Sequence, residues 1–350
     1  MPEQDNAQAR GQAVTLGELG ESGILREIFA RLGPGREATS AEVGPGDDAA
    51  VHDISGPVIA TTDAMVRGRD WLDKWSTGHD VGVKVVTQNL ADISAMGGVP
   101  TGILVTLIAP SDLSVSWAMD FTEGLSRACQ AAGVSVLGGD LSSSLGEVMV
   151  SVTALGVLTE HGTVLRSGAR PGDVLAVSGP LGRSAAGWDL LRRSDAGWWP
   201  PESEAAVAAD WVGFHCAPSV DFTQGSLAAK HGARAMLDVS DGLGRDAQRI
   251  AEVSQVDIDL DESSIQAMAS RFADVLGSQA ALSHVLSGGE EHELLATFAD
   301  TTTVPLGWTV IGSVRSVQQA SDGDQRIPTV YWEGKPLENL GWDHFESPAV

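Results

Sequence analysis

An aspartate stands where the helical pattern calls for an apolar side chain. Over residues 79–96, Val85, Val86, Leu90, Ile93 and Met96 recur at helical spacing, and Gly97 supplies a stop. Asp92 lies between Leu90 and Ile93, beside that stripe, where a carboxylate without a partner costs several kcal/mol or keeps its proton. Something cationic is therefore expected to meet Asp92, the alternative being a satisfied core carboxylate. Three further acidic clusters stand at the ends of strand-like runs: Asp47 and Asp48, Asp63 after Thr61 and Thr62, and Asp140 in GGD. The working expectation is that Asp92 gathers them around metal ions.

The rest of the chain reads as alternating helices and strands. A helix is predicted over Glu21–Leu32, closed by Gly33-Pro34, and then a Gly-rich turn, GPGDDAAV, leads into short strands at Ala49–His52 and Pro57–Thr61. For Asp47 a turn-forming role competes with a ligand role. A buried strand over Thr101–Ala109 follows the Asp92 helix, then a helix over Leu113–Ala132 with Ser114 as a cap and Gly133 closing it. Strands Val134–Leu137 and Val148–Leu158 complete this half, and HGTVLRSGARPGD (161–173) marks a boundary. Strand Val174–Val177, a loop feeding a helix, and a Trp-rich stretch from Ser194 to about Phe214 open the second half. That stretch reads as a surface helical hairpin. Strands Ala235–Val239, Val256–Leu260, Trp308–Val314 and Pro328–Trp332 and helices Gly244–Val253 and Ser264–Leu276 follow. The fold class is α/β, with mixed sheets covered by helices.

Length and charge narrow the chemistry. A chain of 350 residues suits two domains. Its 47 acidic residues against 22 Lys and Arg give a formal charge of -25, a surface that repels nucleic acid and anionic membranes. Most of these carboxylates form a solvated shell. The two cysteines, Cys129 and Cys216, read as structural and cannot make a zinc set. No long apolar run or signal-peptide layout is present, so the cytoplasm is the expected location, and residues 1–13 are expected to be a disordered tail.

There is no GxxxxGK[ST] loop and no HRD or DFG set, and the lysines are Lys74, Lys84, Lys230 and Lys335 alone. If the chain binds phosphate, metal ions and backbone N–H groups do most of the work. At an effective dielectric near 20, two unit charges ~5 Å apart interact by about 3 kcal/mol. A site lined by Asp48, Asp63, Asp92, Asp140, Asp238 and Asp241 thus repels a bare nucleotide. Several magnesium ions reverse the sign, since hard cations bridge carboxylates to phosphates.

In order along the chain, GDDAAV, TTDAMVRG, NLADISAMGG, GGD, LRSGARPGD, LDVSDGL, SGGEEHELL and GWDHF resemble the thiamine-monophosphate kinase family. Its superfamily includes aminoimidazole ribonucleotide synthetase and selenophosphate synthetase. Each string is weak alone, but eight in sequence are specific. The resemblance implies ATP-dependent phosphorylation of thiamine monophosphate to thiamine diphosphate, with ATP as co-substrate. It implies magnesium-site roles for Asp48, Thr61, Thr62, Asp63, Asp92, Asp140, Asp238 and Asp241. Gly139, Arg166 and Ser240 would contact ATP, with Asp140 and Glu123 also on the nucleotide side, and Glu290 and Trp342 would hold the thiamine.

Two departures stand out. Asp70, in GRDW, occupies the place of a substrate-contacting His in the commoner GVHF. Glu291 replaces the Asp of SGGED, with His292 for a frequent Tyr. Glu290 could also be a strand-edge surface acid and Trp342 a core plug, and Trp71 and Trp75 favour packing.

The implied chemistry suits these residue types. The acceptor phosphate, with a second pKa near 6, is already a dianion at neutral pH and needs little general base. Bringing two anions together is the difficulty, so carboxylate-held metals with Arg166 as a clamp, and direct in-line transfer without a phosphoenzyme, are expected. Residues 14–160 would supply metal and nucleotide ligands and pair with a second copy in a barrel-like homodimer core, as the resemblance implies. Residues 165–350 would close over the substrate. Two other readings stay in view. A selenophosphate synthetase or a hydrogenase-maturation enzyme of the same superfamily normally carries a reactive Cys that this chain lacks, and a non-catalytic sensor would not need the full carboxylate set.

Overall fold

A computed structural model describes residues 13–32, 41–45, 48–317 and 327–342. Asp47, the tail before residue 13 and the chain after Trp342 lie outside the described residues.

The first unit carries helices α1 (Leu16–Leu19) and α2 (Glu21–Leu32) and a two-stranded ribbon, β1 (Ala41–Val43) with β2 (Val51–His52). Next come β3 (Val58–Val66), α3 (Gly78–Ala95), β4 (Gly98–Pro110), α4 (Val115–Ala132), β5 (Ser135–Ser144) and β6 (Met149–Leu158). The four long strands form one mixed sheet in the order β3-β6-β4-β5, with β4 and β5 parallel and the other pairs antiparallel.

Sequence sets the ends of both helices. Thr77 and Asp80 close a capping box at the start of α3. Ser114 accepts from Trp117 N to start α4, and Gly133, at φ 69°, ends it in the left-handed region. The helices lie so close that a Cβ on Gly82 would stand 2.3 Å from Phe121 O, and one on Gly124 2.0 Å from His79 O. Only glycine fits these crossings. Together α3 and α4 cover one face of the sheet around a core that includes Val81, Val85, Leu90, Ile93, Ile103, Phe121 and Val152.

Two strands run further than their sequence suggests. The strand predicted to end at TTD continues to Val66, because Asp63, Ala64, Met65 and Val66 pair in register with Val152, Ser151, Val150 and Met149. The strand predicted to stop at Leu137 runs through Gly-Gly-Asp to Ser144 on the sheet edge, paired in parallel with β4. An edge strand with one uncovered face tolerates such a polar run. Asp63 and Asp140 therefore sit within strands, where alternation fixes the face each side chain takes.

The second unit contains β7 (Val174–Val177), α5 (Arg183–Asp195), α6 (Glu202–Cys216), α7 (Thr223–Lys230), β8 (Ala235–Asp238), α8 (Leu243–Ser254), β9 (Val256–Leu260), α9 (Glu262–Leu276), α10 (Ser278–Ser287), β10 (Leu294–Phe298), β11 (Thr309–Ser316), β12 (Val330–Trp332) and β13 (Lys335–Pro336). Its seven-stranded sheet has the order β13-β12-β9-β11-β7-β10-β8, antiparallel except where β12 meets β9. Helices α7 and α10 escape the sequence reading. The Trp-rich stretch holds the end of α5, the turn and most of α6, the second arm of a helical hairpin whose Trp211 packs edge-on against Phe272 in the main core.

The two units meet along α3. Thr87 Oγ1 donates to Pro218 O at 2.7 Å, Ser94 Oγ donates to Phe222 O at 2.9 Å, and a Cβ on Gly225 would lie 1.9 Å from Ser94 O. The same helix that covers the first sheet thus also forms the floor between the units.

Candidate active site

A cleft of about 1030 Å³ opens at that junction. Its wall takes Thr61 and Asp63 from β3, Gln88 and Asp92 from α3, Arg166 from the connection between the units, and Asp238, Ser240 and Asp241 from the end of β8 and the turn into α8. Glu290 and His292 come from the loop between α10 and β10, and Trp342 from the segment after β13. Asp70 also lines it.

Asp92 carries the electrostatic signature of this place. The Thr61 hydroxyl donates to its Oδ2 at 2.9 Å, but its charged neighbours are mostly acids. Burial first, then the charges of Asp238 and Asp63, push its carboxyl up to about 7. The buried Asn89 ties the strand to the helix here, accepting from Asp63 N at 3.0 Å and donating to Val85 O at 2.8 Å. Asp63 and Asp92 from the first unit and Asp238 from the second thus act on one another across the cleft, with His292 the neighbour that works against their repulsion.

Across the cleft the SDG turn and the GEEH loop brace each other. Glu290 N donates to Ser240 O at 2.8 Å, and His292 N to Val239 O at 2.9 Å. Glu290 and His292 are held at φ 60° and 58°, a left-handed conformation that costs non-glycine residues of order 1–3 kcal/mol each. The kinked backbone sends alternate side chains two ways. Glu291 and Glu293 turn inward to Arg183, at 3.3 and 2.8 Å, while Glu290 and His292 face the cleft. His292 Nδ1 donates to Asp238 Oδ2 at 3.1 Å. Burial opposes a charge on His292, yet the bond to Asp238 and the nearby acids outweigh it and raise its pKa. Glu291, fully buried, accepts from Ser184 N at the start of α5, so the residue that departs from the SGGED pattern is part of the internal scaffold.

The turn into α8 is occupied from within. Asp246 accepts from Asp241 N and Gly242 N at 3.0 and 3.1 Å, and Arg249 bridges Asp246 and Asp241 at 2.5 Å each. Trp342 N donates to Asp241 O at 2.9 Å, and Arg69 lies over the Trp342 ring at 5.7 Å. Asp70 Oδ2 accepts from Val66 N at 2.6 Å, so its carboxylate also closes the turn after β3.

Other residues singled out in the sequence stand off this wall. Thr62 alternates to the uncovered face of the sheet, donating to Val152 O at 3.0 Å and lying 3.3 Å from Thr153 Oγ1. Asp140, level with Thr106 on the same face, accepts from Ser142 Oγ at 2.7 Å. Gly139 lets β5 approach β4, since a Cβ there would lie 2.1 Å from Val105 O. Glu123 pairs with Arg127 at 2.6 Å on the exposed side of α4, and Asp48 is exposed beside the ribbon. Both cysteines are buried, and burial pushes the Cys129 thiol up to about 12.

Sequence reasoning passes over Lys84, His215, Asp246 and Arg249. One signal was available. Lys84, Gln88 and Asp92 fall at i, i+4 and i+8 on α3, a single stripe turned toward the second unit.

Among the described residues no group of three or more His, Cys, Asp or Glu side chains stands close enough to hold a metal ion by itself. The donors nevertheless fit magnesium, a hard cation that keeps several waters and binds through one or two carboxylates plus substrate phosphates.

Residues 46–158 match the family model described as AIR synthase related protein, N-terminal domain. The chain is 38% identical over 343 residues to a thiamine-monophosphate kinase of Mycobacterium tuberculosis, covering 96% of this chain and 95% of that protein. It is 30% identical over 325 residues to one from Bacillus subtilis, covering 88% and 95%. A solved structure of AaThiL complexed with AMPPCP and TMP superposes with a TM-score of 0.72 at 31% identity, covering 94% of this chain and 98% of that one.

Proposed function

Because the chain belongs to the thiamine-monophosphate kinase family, we propose that it transfers the γ-phosphoryl group of ATP to the phosphate of thiamine monophosphate, directly and in line, with magnesium in the acidic cleft. The observation that carries this reading is that Asp63, Asp92 and Asp238 from both units line one cleft, where burial and then the charges of Asp238 and Asp63 hold the Asp92 carboxyl up. Asp63, Asp92, Asp238 and Asp241, with Thr61, would hold the ions. Bound magnesium would neutralise the phosphates and draw them together.

The chain's own groups do the rest. Arg166 reaches the cleft from the connection between the units and serves as the clamp on the nucleotide, and Ser240, on the wall of the same cleft, also contacts it. Glu290 and Trp342 stand on the acceptor side. No protein base is required, because the acceptor is a dianion near neutral pH. Asp48, Thr62, Gly139, Asp140 and Glu123 lie off the cleft wall in the single chain, so this scheme gives them no step.

Incubating the purified protein with ATP, magnesium and thiamine monophosphate should yield thiamine diphosphate. Excess chelator should abolish the reaction and added magnesium restore it. A rate undiminished by the chelator would remove the metal from the scheme.

The same reading makes the protein a homodimer, with residues 14–160 as the pairing unit and residues 165–350 as the closing one. Its support is the uncovered face of the first sheet, where Val58, Val99, Leu104 and Met149 are 39–51% exposed. In analytical ultracentrifugation the protein should sediment as a dimer and Leu104→Lys as a monomer. A wild-type monomer at micromolar concentration would contradict the pairing. The reading places the protein in the cytoplasm, in keeping with the described residues, where no helix is long and apolar enough to cross a membrane.

A further inference from the structure

Lys84 is 3% exposed, so it lies behind the cleft wall, yet its Nζ is 2.7 Å from Glu290 Oε1. It also lies 3.4 Å from the carbonyl oxygen of Asp70. The other carboxylate oxygen of Glu290 is 3.4 Å from His215 Nδ1, at the end of α6, and that nitrogen is 3.0 Å from Ser184 Oγ. Glu290 itself has a 37% exposed side chain on the cleft wall and a backbone fixed at φ 60° by its bond to Ser240. One glutamate is therefore held from the first unit by Lys84, with His215 of the helical hairpin 3.4 Å from its other oxygen, and its side chain stays exposed on the cleft wall.

We propose that Lys84 is a positioning residue for the acceptor: from the first unit it fixes the Glu290 carboxylate in the orientation that receives the organic part of the substrate. This rests on the reaction proposed above. The acceptor chemistry suits it, since thiamine monophosphate offers a thiazolium cation and an exocyclic amine, both matched to a fixed carboxylate. Burial opposes charge on Glu290, but Lys84 and then His215 outweigh it and hold its carboxyl below the usual range. His215 stays neutral at pH 7, burial and the Lys84 charge having lowered it to about 4, so Lys84 is the cation in this grip. The arrangement also gives the α5–α6 hairpin a part in substrate binding, and it links the acceptor site to the helix that carries Asp92.

Calorimetric titration with thiamine monophosphate, and separately with a non-hydrolysable ATP analogue, tests this on the full chain. Lys84→Met should weaken thiamine monophosphate about tenfold or more, as expected when one partner of a buried charge pair is lost, and leave the ATP analogue within about twofold. Lys84→Arg should fall between Lys84→Met and wild type. If Lys84 acts only through Glu290, the double variant Lys84→Met/Glu290→Gln should bind no more weakly than Glu290→Gln alone. Equal loss for both ligands, unchanged binding in Lys84→Met, or losses that multiply in the double variant would overturn the proposal. Should Lys84→Met fail to fold, wild-type affinity in both Lys84→Arg and Glu290→Gln would overturn it equally. Wild-type protein that binds no thiamine monophosphate would instead remove the reaction on which it rests.

Discussion

Asp92→Asn should leave a folded protein whose turnover is lower by orders of magnitude. Asn fills the same volume and its side-chain oxygen can still accept from the Thr61 hydroxyl, so the contact between β3 and α3 survives. What disappears is one anionic oxygen of the proposed metal-binding set and part of the field that would draw cations into the cleft. Without metal the variant should be the more stable form. The wild-type carboxyl is raised from 3.8 to about 7 in the folded protein, by burial and then by Asp238 and Asp63. Below the unfolded value both states hold the proton and Asp92 costs nothing. As pH rises from there toward 7 the unfolded chain ionises first, so stability is lost across that window. Thermal melts of chelator-treated protein should show wild type falling below Asp92→Asn as pH increases from 4 to 7, while magnesium should narrow the gap. Near-normal turnover in the variant would return Asp92 to the role of a satisfied core acid.

Arg183→Met should produce the largest loss of stability. The guanidinium sits between Glu291, fully buried, and Glu293, and its centre lies 3.7 Å from the Phe214 ring centroid. Removing one partner of a buried pair leaves uncompensated charge, at a cost of about 3–5 kcal/mol. Burial already raises the Glu291 carboxyl to about 7, against the pull of Arg183. With Arg183 gone that value climbs further, so the deficit should grow as pH rises from 5 to 8. Denaturant titrations at the two pH values would show it. A midpoint within experimental error of wild type at pH 8 would mean that the two glutamates are held by other means.

Much of the scaffold is legible in the sequence because it depends on local signals. The Ser114 cap, the left-handed Gly133 and the apolar periodicity of α3 place the two helices within two residues of their expected ends. Strand ends are less legible. TTD and GGD look like termini since acids and glycines interrupt the apolar run, but pairing across the sheet decides, and Asp63 and Asp140 lie within strands. The extension matters for the site. The family resemblance joins Thr61 to Thr62, and strand alternation sends them to opposite faces, only Thr61 reaching Asp92.

Lys84, His215 and Arg249 are harder to see because their partners are distant in sequence or reached by a kink. Glu290 meets Lys84 only through two left-handed residues in a loop more than two hundred positions away. The sequence leads one to expect a cation at Asp92. In the folded chain it meets Asp63 and Asp238 as well as His292, and that excess of acids is the ground for the magnesium proposed above.

Label transfer from ATP carrying a radioactive γ-phosphate tests the central claim most directly. With magnesium and thiamine monophosphate, the label should appear in the terminal phosphate of thiamine diphosphate, one equivalent for each ADP formed, with no labelled protein on acid quenching. Label released only as inorganic phosphate, or trapped on the chain as a competent intermediate, would contradict direct transfer in this cleft.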